Sequence, residues 1–320
     1  MGKYRDVVKK RGGTMFQGSD SVGVFFCHRS ATRRLLVWLV VAAVCGILAS
    51  PALAQGLNWE GQTGAFITPF AYTSASPAKG FGRPQASFHF LEAGPVIGGY
   101  VQTSVTVGLF KRAEFGYTRT IGLDGSTPAL SPLFEGGFNT VHGKVNLVPE
   151  NYGKRNYLPA ISAGFVARTQ VRHVGGVISA QDTNNGDFYL VATKTVTQVK
   201  GLPFVLSGGF KGTNASIFGI AGNASAWQGR FFGAVAIVLT GPGKSTWIVG
   251  SEFAQQPHFI EGLPGATVPT SYTYFVRIVP APERWPLNVD FGLAHAIGNT
   301  APGVDLKASG QFAMGISYQF

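Results

Sequence analysis

The final stretch of the chain, residues 310–320, alternates without a break. Phe312, Met314, Ile316, Tyr318 and Phe320 fall on one side, and Gln311, Ala313, Gly315, Ser317 and Gln319 on the other. A period of two is the pattern of a β-strand. Its length suits a tilted membrane crossing, which takes about 9–11 residues. One face is wholly apolar and the other small or polar, so the two sides of this strand require unlike surroundings.

The same pattern recurs upstream. No segment after residue 54 sustains apolar residues at i, i+3, i+4 and i+7, the spacing of an amphipathic helix. Period-two stretches predict strands at 85–93, 102–110, 113–121, 141–149, 160–169, 187–196, 203–212, 229–239, 245–254, 271–280, 287–296 and 310–320. The connections between them run 8, 2, 19, 10, 17, 6, 16, 5, 16, 6 and 13 residues, and each odd-numbered one exceeds its neighbours. Short turns on one side and longer loops on the other describe an up-and-down membrane barrel; a Greek-key sandwich has no reason to alternate in this way. The short turns are rich in turn formers, as in Gly241-Pro242-Gly243 and Ala281-Pro282. The fold class expected is therefore all-β, an antiparallel up-and-down transmembrane β-barrel of about 12 strands. Recruiting 216–222 or 62–72 as strands keeps the range 10–14 open. An even count places both ends of the barrel on the periplasmic side.

Ahead of the barrel, Arg33 and Arg34 precede an apolar run at 35–48, followed by Ala52-Leu53-Ala54. A charged start, a short apolar stretch and a small-x-small site describe a secretory signal helix cut after Ala54. The alternative, a retained inner-membrane anchor, is disfavoured because the run falls short of the ~20 apolar residues a span needs. Translation from Met1 or from Met15 gives the same product. The chain divides into a leader and signal peptide (1–54), a segment that is either a periplasmic tail or a partial plug (55–84), and the barrel (85–320). Both cysteines, Cys27 and Cys45, fall in the leader, so the mature chain is expected to hold neither disulfide nor thiolate metal site.

The formal charge of +11 shrinks to +5 on the 266 residues after the leader. No basic run accompanies it, so nucleic acid is not expected as a partner. Only 31 of those residues are charged, about half the ~25% typical of a soluble domain. A surface so poor in charge is one that does not meet water. In strand 287–296, Leu287, Val289, Phe291 and Leu293 oppose Asn288, Asp290, Gly292 and Ala294; in 245–254, Glu252 lies opposite Trp247, Val249 and Phe253. The apolar stripe is assigned to lipid, and the small and polar stripe to a polar or wet lumen. Phe115, Tyr189, Trp247, Tyr272 and Tyr318 fall near strand ends, where aromatic belts are found.

His89, His142, His173, His258 and His295 all lack the His-x-Ser-Asn pattern of barrel phospholipases, and no two have ligand spacing. His295 and Asp290 are five apart on one strand and face opposite ways. No catalytic, metal or cofactor site is predicted, and the chain is not expected to be an enzyme. One constellation follows from register. If the 281–286 turn closes symmetrically, Arg277 lies opposite Asp290 on the lumen side, either as a charged constriction or as a structural pair. Lys144, with His142 and Asn146, makes a second polar lumen stripe, and Glu252 a further lumen candidate.

The chain's end resembles the assembly signal of bacterial outer-membrane barrels, carried here by Gly315, Tyr318 and Phe320, although Ala313 stands where a polar residue is usual. The middle of the chain resembles a proteobacterial family of unknown function regarded as outer-membrane barrels. The likeness rests on Leu158-Pro159-Ala160-Ile161-Ser162-Ala163-Gly164, Asp187-Phe188-Tyr189-Leu190-Val191-Ala192-Thr193-Lys194 and Ser207-Gly208-Gly209-Phe210-Lys211. Gly61-Gln62-Thr63-Gly64-Ala65, with Thr68-Pro69 and Ala71, resembles the opening of barrels associated with exopolysaccharide export.

These resemblances imply the outer membrane of a Gram-negative bacterium. Outer-membrane lipid, periplasmic chaperones and the barrel-assembly machinery are then the expected partners. They supply no catalytic residue. Four functions stay open: a narrow channel or exporter component for polar solutes or polysaccharide, a non-conducting structural or adhesion barrel acting through its outer loops, a lipid-modifying enzyme, and a soluble periplasmic β-protein.

Overall fold

A computed structural model describes residues 56–320 except 96–97, 124–136, 172–181, 198–201, 262, 283, 297–298, 302–303 and 306–308. The signal helix and its cleavage residues, Ala52 and Ala54, lie outside the described residues.

Twelve strands form the wall: β1 (Gln85–Glu92), β2 (Gly99–Leu109), β3 (Ala113–Leu123), β4 (Phe138–Val148), β5 (Ala160–Val171), β6 (Thr183–Val196), β7 (Phe204–Ala215), β8 (Asn223–Thr240), β9 (Thr246–Ala254), β12 (Ser271–Val279), β13 (Leu287–Ala296) and β16 (Gln311–Gln319). The short strands β10 (Phe259–Ile260), β11 (Leu263–Thr267), β14 (Asn299–Ala301) and β15 (Val304–Asp305) lie in the connections between them. Each wall strand pairs antiparallel with its sequence neighbour, and β1 closes against β16. The ladder leaves no edge, so the backbone amides of the wall can be paired without water. That is the condition for crossing hydrocarbon with strands.

Every expected strand is present, and the central strands reach further outward than their apolar period. β8 is 18 residues long, and its ladder with β7 runs on through Thr213↔Gln228 to Ala215↔Asn223. The 16-residue connection expected at 213–228 therefore contracts to 216–222, which opens on a 3-10 turn at Ser216–Gly219. Beyond the lipid, strands need hydrogen bonds and no longer need an apolar face, so the pairing continues where the alternation stops.

The two faces separate as a membrane barrel requires. Phe115, Tyr117, Leu190, Phe210, Tyr274 and Phe291 are exposed on the outside. Thr106, Thr118, Ser162, Thr193, Thr213 and Asn288 are fully buried on the inside. A soluble barrel would invert this.

Candidate functional site

The lumen is filled. Residues 56–75 fold back into the barrel as a double hairpin, tied by bridges Leu57↔Thr63 and Gly64↔Pro69. The Trp59 N–H donates to Phe66 O at 2.7 Å and the Ala65 N–H to Thr68 O at 2.9 Å. The first turn is set by Asn58, whose side-chain oxygen accepts the N–H groups of Glu60 and Gln62, an Asx turn. Gly61 follows at φ +83°, with the hydroxyls of Ser104 and Thr118 crowding the place a Cβ would take. Leu57, Trp59, Phe66 and Ala71 are fully buried. The wet lumen expected from small side chains is corrected accordingly: those side chains are small because a length of chain occupies the space.

The segment has no strand ladder of its own long enough to satisfy its backbone, so the wall satisfies it. Glu252 on β9 accepts the Ile67 N–H at 2.7 Å, the Thr68 N–H at 2.8 Å and the Thr68 hydroxyl at 2.7 Å. Glu114 on β3 accepts the N–H groups of Thr63 (3.0 Å) and Ser74 (2.7 Å) and the Thr63 hydroxyl (2.6 Å). Lys144 on β4 lies 2.9 Å from Glu114 and donates to Thr63 O at 2.9 Å and Phe70 O at 2.8 Å. Farther along, Thr193 accepts the Ala71 N–H at 2.8 Å, and Tyr189 accepts from the Gln62 amide at 2.7 Å. At the rim the Tyr72 hydroxyl donates to Glu150.

Arg277 and Asp290 face each other in the β12–β13 ladder. The guanidinium donates to both Asp290 oxygens, at 2.7 and 3.1 Å, and also to Gly64 O at 2.8 Å and Ala65 O at 3.1 Å. The pair holds the inserted segment. Arg168 on β5 binds Asp187 of β6 at 2.8 Å and Glu60 of the segment. All five of these residues are buried, and each charge has an opposite charge beside it, as burial demands.

His142 is also sealed beneath the segment, its Nε2 3.3 Å from the Thr106 hydroxyl, which itself donates to Gly61 O at 2.6 Å. His89 packs edge-on against Trp59 and Phe66. Its ring lies where a Cβ on Gly315 would be, 2.4 Å from Cδ2, so this glycine makes room in the lumen. Tyr318, which is buried, packs edge-on against Phe320.

Tyr189 corrects the aromatic-belt reading: it points inward, on the face of Asp187, Val191 and Thr193, while Phe115 and Tyr272 do lie exposed outside. Sequence reasoning missed Glu60, Glu114, Arg168, Asp187 and Tyr189 as lumen residues. The signal available for the wall members was parity along their strands.

Small cavities persist beside the segment among the described residues. One of about 60 Å³ lies between Trp59, Phe66 and Ile67 of the segment and Leu91, Phe218 and Tyr272. Another, about 20 Å³, is lined by Gln62, Asp187 and Lys211, room for a single water. Among the described residues no group of His, Cys, Asp and Glu is placed to hold a metal.

The family model "Protein of unknown function (DUF3034)" matches residues 56–276, and the chain belongs to that family. The match begins with the inserted segment. No curated protein matches the sequence significantly. Among solved structures, the chain is similar to the KdgM porin (10% identity, TM-score 0.41, covering 74% of this chain and 99% of that one). It is also similar to the NanC porin (7%, 0.42, 74% and 100%) and to the COG4313 outer membrane channel of Pseudomonas putida F1 (10%, 0.44, 79% and 98%).

Proposed function

We propose that this member of the family is an outer-membrane channel for small polar solutes, held closed by its own N-terminal segment and open only when that segment moves. The observation that carries the reading is how the segment is bound. Apart from Glu60, it offers the lumen charges mainly backbone N–H and C=O groups. Most of the wall charges already pair with one another: Arg277 with Asp290, Lys144 with Glu114, Arg168 with Asp187; Glu252 is the exception, bound to backbone and hydroxyl groups of the segment. Withdrawal of residues 56–75 would leave a lumen of paired charges, hydroxyls and amides that water can solvate. A permanent core is expected to be apolar instead.

Catalysis is not part of the proposal. The Thr106 hydroxyl near His142 is committed to Gly61 O. At His295, Nδ1 already accepts the Gly310 N–H at 3.0 Å and is not a free base for Ser309.

Planar-bilayer recording tests the reading. The full mature chain is expected to be largely silent, and a variant lacking 56–75 to conduct with steady unitary steps. Flux of sugars of increasing length through that variant would then size the cargo. An assembled deletion variant that stays silent would rule out a channel and favour the structural or adhesion barrel.

A further inference from the structure

We propose that the end of the barrel bearing the short turns is a docking surface for the phosphate headgroups of anionic phospholipid. The proposal rests on the membrane reading above, which places this end at the inner, periplasmic leaflet.

Three of the short turns present lysine at their tips: Lys111 between β2 and β3, Lys154 between β4 and β5, and Lys244 between β8 and β9. A fourth, between β12 and β13, presents Arg284. All four are exposed. The chain leading into β1 adds Arg83, also exposed. Among the described residues none of these side chains is in an ion pair. The acid described at this rim, Glu150, is taken by Lys194 at 3.1 Å. At the opposite end, the described acids include Glu92 at the end of β1, and Asp182 and Glu261 in the connections. Among the described residues, the excess of exposed loop cations therefore belongs to one rim.

The backbone supplies an independent reason to read these lysines as selected. Lys111 (φ 58°), Lys154 (φ 62°) and Lys244 (φ 66°) all adopt the left-handed conformation. Glycine and asparagine occupy that region far more readily than lysine does. Turn geometry alone would favour those residues at three separate tips, yet each carries a cation. Strain repeated at equivalent places points to a use for the side chain.

Lipid, rather than an acidic soluble protein, fits what stands beside the cations. Phe110 adjoins Lys111, Tyr152 and Tyr157 flank Lys154, and Trp285 adjoins Arg284; their exposure runs from 54% to 72%. Aromatic rings interleaved with Lys and Arg mark the headgroup level of a bilayer, where rings sit among the glycerol groups and cations reach the phosphates.

The test is native mass spectrometry of the full mature chain released from mixed micelles holding equal phosphatidylglycerol and phosphatidylcholine. Retained phosphatidylglycerol should exceed phosphatidylcholine by at least about fivefold, the factor expected of even one lysine near an anionic surface. The excess should collapse in the combined variant Lys111→Asn, Lys154→Asn, Lys244→Asn, in which asparagine keeps the turns and heat-modifiable mobility confirms a folded barrel. Equal retention of the two lipids, or a preference the variant keeps, would overturn the proposal, the former in favour of an acidic soluble partner. Failure of the chain to insert into lipid at all would instead overturn the membrane reading beneath it.

Discussion

Leu190 and Tyr189 are adjacent on β6, yet they answer to different rules. Leu190 points out, 56% exposed, among other apolar side chains, and lipid asks only that it be apolar. Tyr189 points in and accepts a hydrogen bond from Gln62 at 2.7 Å; its neighbours Asp187 and Thr193 are likewise matched to Arg168 and to Ala71. The outer face is therefore a surface of composition, and the inner face a surface of partners. Substitutions on the two faces should differ in kind as well as in size.

The largest effect is expected inside. Arg168→Met would leave Glu60 and Asp187 buried without their shared cation, a loss of about 3–5 kcal/mol. Urea unfolding of the micelle-bound barrel would register it as a lower midpoint, and a loss under ~1 kcal/mol would break the comparison. Outside, Leu190→Arg tests composition directly. A cation near the bilayer midplane should cost about 2–4 kcal/mol in vesicles and much less in a detergent that lets the side chain reach water. A change of shape without a change of polarity should hardly register: Leu206→Ile, on the outer face of β7, is expected to stay within about 0.5 kcal/mol. If it matched Arg168→Met, the outer face would have partners after all.

The legibility of the lumen followed loop length. Arg277 and Asp290 were placed opposite each other from sequence because a short turn joins their strands and fixes the register. Glu114 and Lys144 form the same kind of pair, opposite one another in the β3–β4 ladder, but the connection between those strands runs over 124–137 and leaves the register free. Arg168 and Asp187 are separated in the same way by 172–182. Tyr189 shares the parity of Asp187 on β6, which turns both to the lumen. Residues 56–75 carry no sustained period, because their own hairpin bonds are few and many of the remaining backbone groups bond to side chains of the wall, which impose no repeat along the chain.

Sequence alone determined the strands, a count of about 12 and the two faces of the wall. Each rests on a period of two and on the contrast between lipid and polar surroundings, both of which are local. Only the tertiary structure decided that the cylinder is stoppered, because what occupies a lumen depends on matching buried charges on many strands to backbone groups far away in the chain. Arg277 reaching Gly64 and Ala65, and Glu252 reaching Ile67 and Thr68, are contacts across more than 180 residues. No local pattern encodes a partner at that separation.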